Sequence, residues 1–154
     1  MVNQGRVAII GVGNLLMGDD GVGIHVAREL EKIDLPANVD VYDAMTNSFM
    51  VLEYMDGAEK AIIIDAYKGG RKPGSIYRIR FDPEALRYAD RVELSLHDMD
   101  FIDALNSGRE AYTYPGEIII LGVEPERVSL NTELSPTLKK AMPEIIKTVL
   151  AEIR

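Results

Sequence analysis

Residues 7–23 read VAIIGVGNLLMGDDGVG, in which an apolar run is followed at once by a loop with five glycines and two adjacent aspartates. The run at 7–10 is continuous rather than alternating, which is typical of a strand covered on both faces of a parallel sheet. Residues 61–64 and 118–121 have the same character. The three runs therefore predict buried parallel strands with helices flanking the sheet.

Helical spacing of apolar residues predicts helices over residues 21–33 and 47–55, and a further helix is expected over 98–106. Ser135 and Pro136 predict the start of a last helix, with serine as N-cap and proline at the first helical position. That helix should run to about Ile153. Residues 82–94 are compatible with either a helix or a loop.

Two alternating stretches complete the predicted sheet. Residues 38–42 alternate Val39 and Val41 with polar neighbours, which indicates a strand nearer the edge. Residues 75–80 alternate as well, but only the nine residues 66–74 separate them from Asp65. Because parallel neighbours need a crossover of roughly a dozen residues, this strand is predicted to be antiparallel. We expect an α/β fold in a single domain over residues 1–154.

Composition excludes several classes of function. Lysine and arginine number 17 against 25 aspartates and glutamates, and the formal net charge of −8 argues against a nucleic-acid partner. The absence of cysteine excludes thiol nucleophiles, disulfides and thiolate metal ligands. No apolar run approaches the roughly 20 residues of a membrane helix, and no signal peptide is recognised. We expect a cytoplasmic protein without membrane insertion; its oligomeric state stays open.

The glycine loop departs from a phosphate-binding loop. Its first two glycines match the dinucleotide pattern G-x-G-x-x-G, but Leu16 stands at the third position. Asp19 and Asp20 would lie at the N-terminus of the next helix, where they would repel a phosphate. Asp43, at the end of the second strand, has the position of a ribose-binding acid. A nucleotide-binding oxidoreductase therefore stays open as an alternative.

Acidic residues follow both the first and the third predicted strand. Either Asp19 or Asp20 is expected to cap the helix that follows, which leaves one carboxylate over. Asp65 ends the third strand. Ligands in open α/β sheets bind beyond the carboxyl ends of strands whose connections diverge, so these acids should converge between strands one and three. Two carboxylates together require a cation or a shared proton.

Only two histidines are available to join these acids. His25 lies beside Glu29 and off the apolar stripe of its helix, which indicates a surface or boundary residue. His97 precedes the helix at 98–106, where it could cap that helix or reach the crevice. Two carboxylates and one imidazole would suit a borderline divalent metal such as nickel, zinc or manganese, with coordination positions left open.

Six groups of residues occur in a fixed order along the chain. They are GVGNLLMGDDGVG at 11–23, Asp43 with Thr46, IDA at 64–66, SLH at 95–97 with DAL at 103–105, GVEPE at 122–126 and LSPT at 134–137. In this order and spacing the chain resembles the maturation endopeptidases of nickel-iron hydrogenases. The resemblance implies a three-layer α-β-α architecture with a twisted, mostly parallel, mixed five-stranded sheet.

The resemblance also implies an activity. Members of that family remove the C-terminal extension of a nickel-loaded hydrogenase large-subunit precursor. Asp20, Asp65 and His97 match the family's metal-contacting positions, although many relatives carry glutamate where Asp20 stands. The nickel would be delivered by the substrate, and other divalent metals would be able to substitute. Asp20, Asp65 and His97 form the predicted catalytic set together with Asp43. Asp43 would serve as a general base or cap its loop. A non-enzymatic nickel carrier is the remaining alternative.

One segment departs from the family pattern. The stretch after Asp43 is usually glycine-rich, whereas Ala44 and Met45 stand there in this sequence. Met45, Met50 and Met55 would be able to form an adaptable docking surface, because methionine side chains are flexible and polarisable. The helical spacing of Met50 and Met55 instead favours the hydrophobic core.

Overall fold

The computed structural model describes residues 5–81 and 101–153, which form one mixed sheet flanked by helices. The elements in chain order are β1 (Val7–Gly11), α1 (Val22–Leu30), β2 (Val39–Asp43), α2 (Ser48–Met55), β3 (Lys60–Ala66), β4 (Ile76–Phe81), α3 (Phe101–Ser107), β5 (Glu117–Val123) and α4 (Pro136–Glu152). A 3-10 turn, Gly18–Gly21, precedes α1. None of the described helices is long and apolar enough to cross a membrane.

The five strands lie in the order β2-β1-β3-β5-β4. β2, β1, β3 and β5 are parallel, whereas β4 runs antiparallel to β5. This arrangement confirms the predicted α/β fold class, the edge position of the second strand and the antiparallel direction of the fourth. The connections from β1 and β3 diverge between these two neighbouring strands, and in open α/β sheets the carboxyl ends of such strands are where a ligand crevice is expected.

The sheet separates two hydrophobic cores. On one face, α2 and α3 pack against the strands with fully buried side chains that include Leu52, Met55 and Leu105. On the other face, α1 and α4 contribute Val26, Leu30, Leu138 and Val149. The central strands are buried on both faces, which is the physical reason for their continuous apolar sequences.

Helix ends follow local signals where these exist. Ser135 caps α4 as predicted, because its Oγ accepts a hydrogen bond from the Leu138 amide at 3.4 Å. Asn47 caps α2 in the same way. α1 ends at Leu30, three residues before the predicted end at Ile33, because the chain closes into a turn in which the Ile33 amide donates to the Leu30 carbonyl. The predicted stretch 82–94 and the start of the 98–106 helix lie outside the described residues.

Candidate active site

The glycines of the loop after β1 make room for neighbouring backbone. A Cβ on Gly23 would lie 2.1 Å from the carbonyl oxygen of Ile64 and 2.4 Å from that of Val12. Gly13 has a φ of +146°, and a Cβ there would lie 2.2 Å from the carbonyl oxygen of Asp20. The start of α1 therefore rests directly on the ends of β1 and β3, a contact that no larger residue would permit.

This packing places two carboxylates at one edge of the sheet. Asp20 lies in the 3-10 turn, which contacts β3, and only 6% of its surface is exposed. Its Oδ2 accepts a hydrogen bond from the Asn14 amide at 3.1 Å. Asp65 is the penultimate residue of β3 and is 2% exposed, with the Ala66 amide 2.8 Å from its Oδ1. Both side chains are thus buried at the carboxyl ends of neighbouring strands.

Asp43 ends β2 and pairs in register with Gly11 of β1. Its exposed side chain forms a tight turn, because Oδ1 accepts a hydrogen bond from the Met45 amide at 2.9 Å. Met45 has a left-handed φ of +53°, and its carbonyl oxygen accepts a hydrogen bond from Gly13 at 2.7 Å. Asp43 therefore holds the loop after β2 against the glycine loop, which favours the capping role over the general base.

His97 lies outside the described residues, so its position relative to the two carboxylates stays a prediction. Within 5–81 and 101–153, no group of three or more histidine, cysteine, aspartate or glutamate side chains is arranged to hold a metal ion. The described part of the crevice supplies oxygen donors from Asp20 and Asp65. A complete three-residue metal site would require His97 as well.

Asp19 does not face this crevice, and neither member of the aspartate pair caps α1. The N-cap of α1 is Gly21, which makes no side-chain cap, so the N-cap prediction was wrong. The Asp19 side chain, fully buried, instead crosses to the segment between β5 and α4. Its Oδ2 accepts hydrogen bonds from the Glu126 and Arg127 amides, each at 2.9 Å, and from Ser135 Oγ at 2.7 Å. Its Oδ1 accepts from the Ser135 amide at 2.7 Å.

These four bonds set the ionisation of Asp19. Burial raises the pKa of the carboxyl group, but the hydrogen bonds from Ser135, Arg127 and Glu126 outweigh it and hold the pKa below its ordinary value. Asp19 therefore stays negatively charged and ties the loop that carries Asp20 to the start of α4. The sequence contained a signal for this contact in the GVEPE and LSPT motifs, which include the donors Glu126 and Ser135, and Arg127 directly follows the first motif.

Glu124 organises the chain after β3. Its carboxylate, 6% exposed, accepts hydrogen bonds at Oε1 from the amides of Gly69 at 3.0 Å and Arg71 at 2.9 Å, and from the Tyr77 hydroxyl. Burial raises its pKa, but the bond from Tyr77 and the backbone amides together lower it below the ordinary value. Glu124 thereby fixes the turn that follows the Asp65 strand, a role that inspection of the sequence missed.

His25 lies on α1, where it is half-buried as a boundary residue. It lines a cleft of about 440 Å³ between α1 and α4, together with Glu29, Glu133 and Lys139. Burial lowers the pKa of its imidazole, and Nε2 has no hydrogen-bond partner among the described residues. His25 is therefore a neutral side chain at a helix interface.

Comparison with known proteins identifies the family. Residues 24–152 match the family model described as hydrogenase maturation protease. The chain belongs to the hydrogenase maturation protease family. This membership confirms the resemblance drawn from the motifs and removes the nucleotide-binding oxidoreductase as an interpretation of the glycine loop.

Individual relatives of this protease agree with the assignment. The chain is 30% identical over 147 residues to the hydrogenase expression/formation protein HoxM of Azotobacter vinelandii, covering 89% of this chain and 70% of that protein. It is 27% identical over 151 residues to the hydrogenase 2 maturation protease of Escherichia coli, covering 97% and 91%. The solved structure of the hydrogenase maturating endopeptidase HybD from E. coli superposes with a TM-score of 0.81 at 26% identity, covering 97% and 92%.

Proposed function

We propose that this protease removes the C-terminal extension of a nickel-iron hydrogenase large-subunit precursor, and that it recognises the nickel ion already carried by that precursor. Family membership supports the reaction class. The observation that carries the finer proposal is the placement of Asp20 and Asp65, both almost fully buried, at the carboxyl ends of the neighbouring strands β1 and β3.

Two carboxylates at the ends of neighbouring strands supply oxygen donors for a divalent ion. Oxygen donors together with one imidazole suit a borderline ion such as the nickel of the precursor. In this proposal Asp20 and Asp65 hold the substrate's nickel, with His97 as the nitrogen donor. Binding of the ion would position the adjoining peptide bond in the crevice. Other divalent metals would be able to replace nickel.

Asp43 has a supporting role in the proposed reaction. Its carboxylate is engaged with the Met45 amide, and the loop it shapes is bonded to Gly13. The loop therefore borders the path by which a peptide would enter the crevice. Activation of water by Asp43 is the competing role.

The cytoplasmic setting expected from the sequence belongs to the same proposal.

The test is cleavage of a purified precursor, loaded with nickel or free of it, followed by intact-mass measurement. We expect the wild type to shorten the loaded precursor and to leave the nickel-free precursor intact. Replacing Asp65 by asparagine should lower cleavage by at least about 100-fold, since even residues that only support a metal ligand typically contribute 10–100-fold. Asp20→Glu should retain activity, because it keeps a carboxylate and introduces the residue that many relatives carry at this position.

Asp34→Asn is a matched control, because Asp34 is an exposed aspartate in the turn after α1. It should cleave as the wild type does. Efficient cleavage of nickel-free precursor by the wild type would contradict recognition of substrate-borne nickel. An unchanged precursor mass, with nickel bound to this protein instead, would favour the nickel carrier.

A further inference from the structure

The exposed apolar side chains of this protease are concentrated at one edge of the sheet. Among the described residues, seven large apolar side chains are exposed: Leu16, Ile33, Met45, Phe49, Met50, Val128 and Leu130. Six of them, all except Ile33, lie in the loops after β1, β2 and β5 or in the first turn of α2. These segments all follow the carboxyl ends of parallel strands, so the six residues belong to the edge of the sheet at which Asp20 and Asp65 lie.

Leu16 and Leu130 form one side of this surface. The Asn131 amide donates a hydrogen bond to the Leu16 carbonyl at 2.9 Å, and Met17 and Asn131 pair as a parallel bridge. The preceding residue of each strand, Leu16 and Leu130, therefore lies beside the other, with 56% and 84% of their surfaces exposed. Two adjacent leucines exposed to this extent form an apolar patch of the kind found at binding surfaces.

Met45 lies on the other side of the glycine loop. It is 69% exposed, and its carbonyl oxygen is bonded to Gly13. Its left-handed backbone conformation, rare for a residue with a long side chain, is held by Asp43. Met50 is exposed as well, whereas Met55 is fully buried, so only part of the methionine set belongs to the core.

We infer that these six residues form the docking surface for an apolar segment of the hydrogenase precursor, next to the bond that is cut. The inference rests on the proposed function. The Met45 loop is bonded to Gly13 of the same glycine loop that carries Leu16, so a peptide bound beside Asp20 would contact both. An apolar surface at this position fits an apolar peptide segment, because association then buries apolar area on both partners.

The experiment measures kcat and KM for the nickel-loaded precursor with the full-length protease. We expect the double variant Leu16→Ser/Leu130→Ser to raise KM by about tenfold or more, with kcat changed by less than about threefold. Met45→Asn should raise KM in the same way, because asparagine tolerates the left-handed conformation while removing the apolar side chain. Ile33→Ser is the control, since Ile33 is exposed beyond the far end of α1 and should leave KM unchanged.

The single variant Leu130→Ser guards against misfolding, because this side chain is almost entirely outside the core. A KM within about twofold of the wild type in all folded variants would overturn the docking surface and leave the proposed reaction standing. An equal rise in KM for Ile33→Ser would also overturn it. Failure of the wild type to cleave the loaded precursor would instead overturn the proposed function, on which the docking surface rests.

Discussion

Replacing Asp19 by asparagine tests the role assigned to the buried member of the aspartate pair. The carboxylate accepts four hydrogen bonds, three at Oδ2 and one at Oδ1. Asparagine has nearly the same shape but only one acceptor oxygen. If that oxygen takes the position of Oδ2, the amide group faces the backbone N–H of Ser135, so two donors point at each other.

The cost follows from these contacts. One hydrogen bond to a charged group is lost, worth about 1.5–3 kcal/mol, and a buried donor is left unsatisfied, at about 1–3 kcal/mol. The three remaining bonds weaken because the acceptor is neutral. We therefore expect Asp19→Asn to lower the free energy of unfolding by about 3 kcal/mol or more. For a chain of this length that corresponds to a fall in Tm of roughly 6–12 °C.

The assay is urea unfolding and thermal unfolding at pH 7, with Asp34→Asn as the exposed control. The control should change the free energy of unfolding by no more than about 0.5 kcal/mol. Asp19→Ala removes all four acceptor interactions and should be less stable than Asp19→Asn. A Tm for Asp19→Asn within about 1 °C of the wild type would refute the reasoning.

The pH dependence of stability provides an independent check on the contribution of the Asp19 carboxylate. Because its pKa in the folded protein lies below the ordinary value of 3.8, its charge stabilises the fold at every pH above that value. The contribution is lost as the pH falls below 3.8 and through the folded pKa. The difference in stability between the wild type and Asp19→Asn should therefore be constant from neutral pH down to about pH 5 and should narrow below pH 4.

Gly23→Ala should lower the free energy of unfolding by more than about 3 kcal/mol, since its Cβ would overlap two backbone carbonyls. The control is Gly116→Ala, whose Cβ would meet no neighbouring atom, and which should leave the free energy of unfolding nearly unchanged in a urea titration. Glu124→Ala should lower the free energy of unfolding by about 2–3 kcal/mol. Glu124→Gln should lower it less, because glutamine keeps an acceptor oxygen for the same three donors. Asp43→Asn should retain cleavage within about threefold, since asparagine also accepts from the Met45 amide; a loss of about 100-fold or more would establish Asp43 as a general base.

Features of the fold with a local cause could be predicted from the sequence. Continuous apolar runs identify the buried strands, and Ser135 with Pro136 marks the start of α4. The short connection after Asp65 was enough to give the direction of β4. Each of these inferences depends on residues close together in the chain, for which spacing and side-chain type carry the information.

The candidate site was harder to predict because its organisation depends on distant contacts. An aspartate next to a helix is expected to cap it, but the donors to Asp19 are 107, 108 and 116 residues away. The role of Gly23 was equally hidden, since the carbonyl that excludes a side chain belongs to Ile64. Asp20 and Asp65 could be placed at one edge from topology alone, whereas the ligand proposed for them required the family resemblance.

The hydrogen bonds between the loop after β1 and the segment after β5 have a consequence for dynamics. Gly18 donates to the Asn131 carbonyl at 2.7 Å and Asp19 to the Arg127 carbonyl at 2.9 Å, in addition to the side-chain bonds of Asp19. Neither segment can open locally without breaking its bonds to the other. Their amide hydrogens should therefore exchange with solvent as one cooperative unit. A precursor that binds Leu16 and Leu130 as inferred should therefore slow exchange at the peptide groups flanking Asp20 as well, even where it does not contact them.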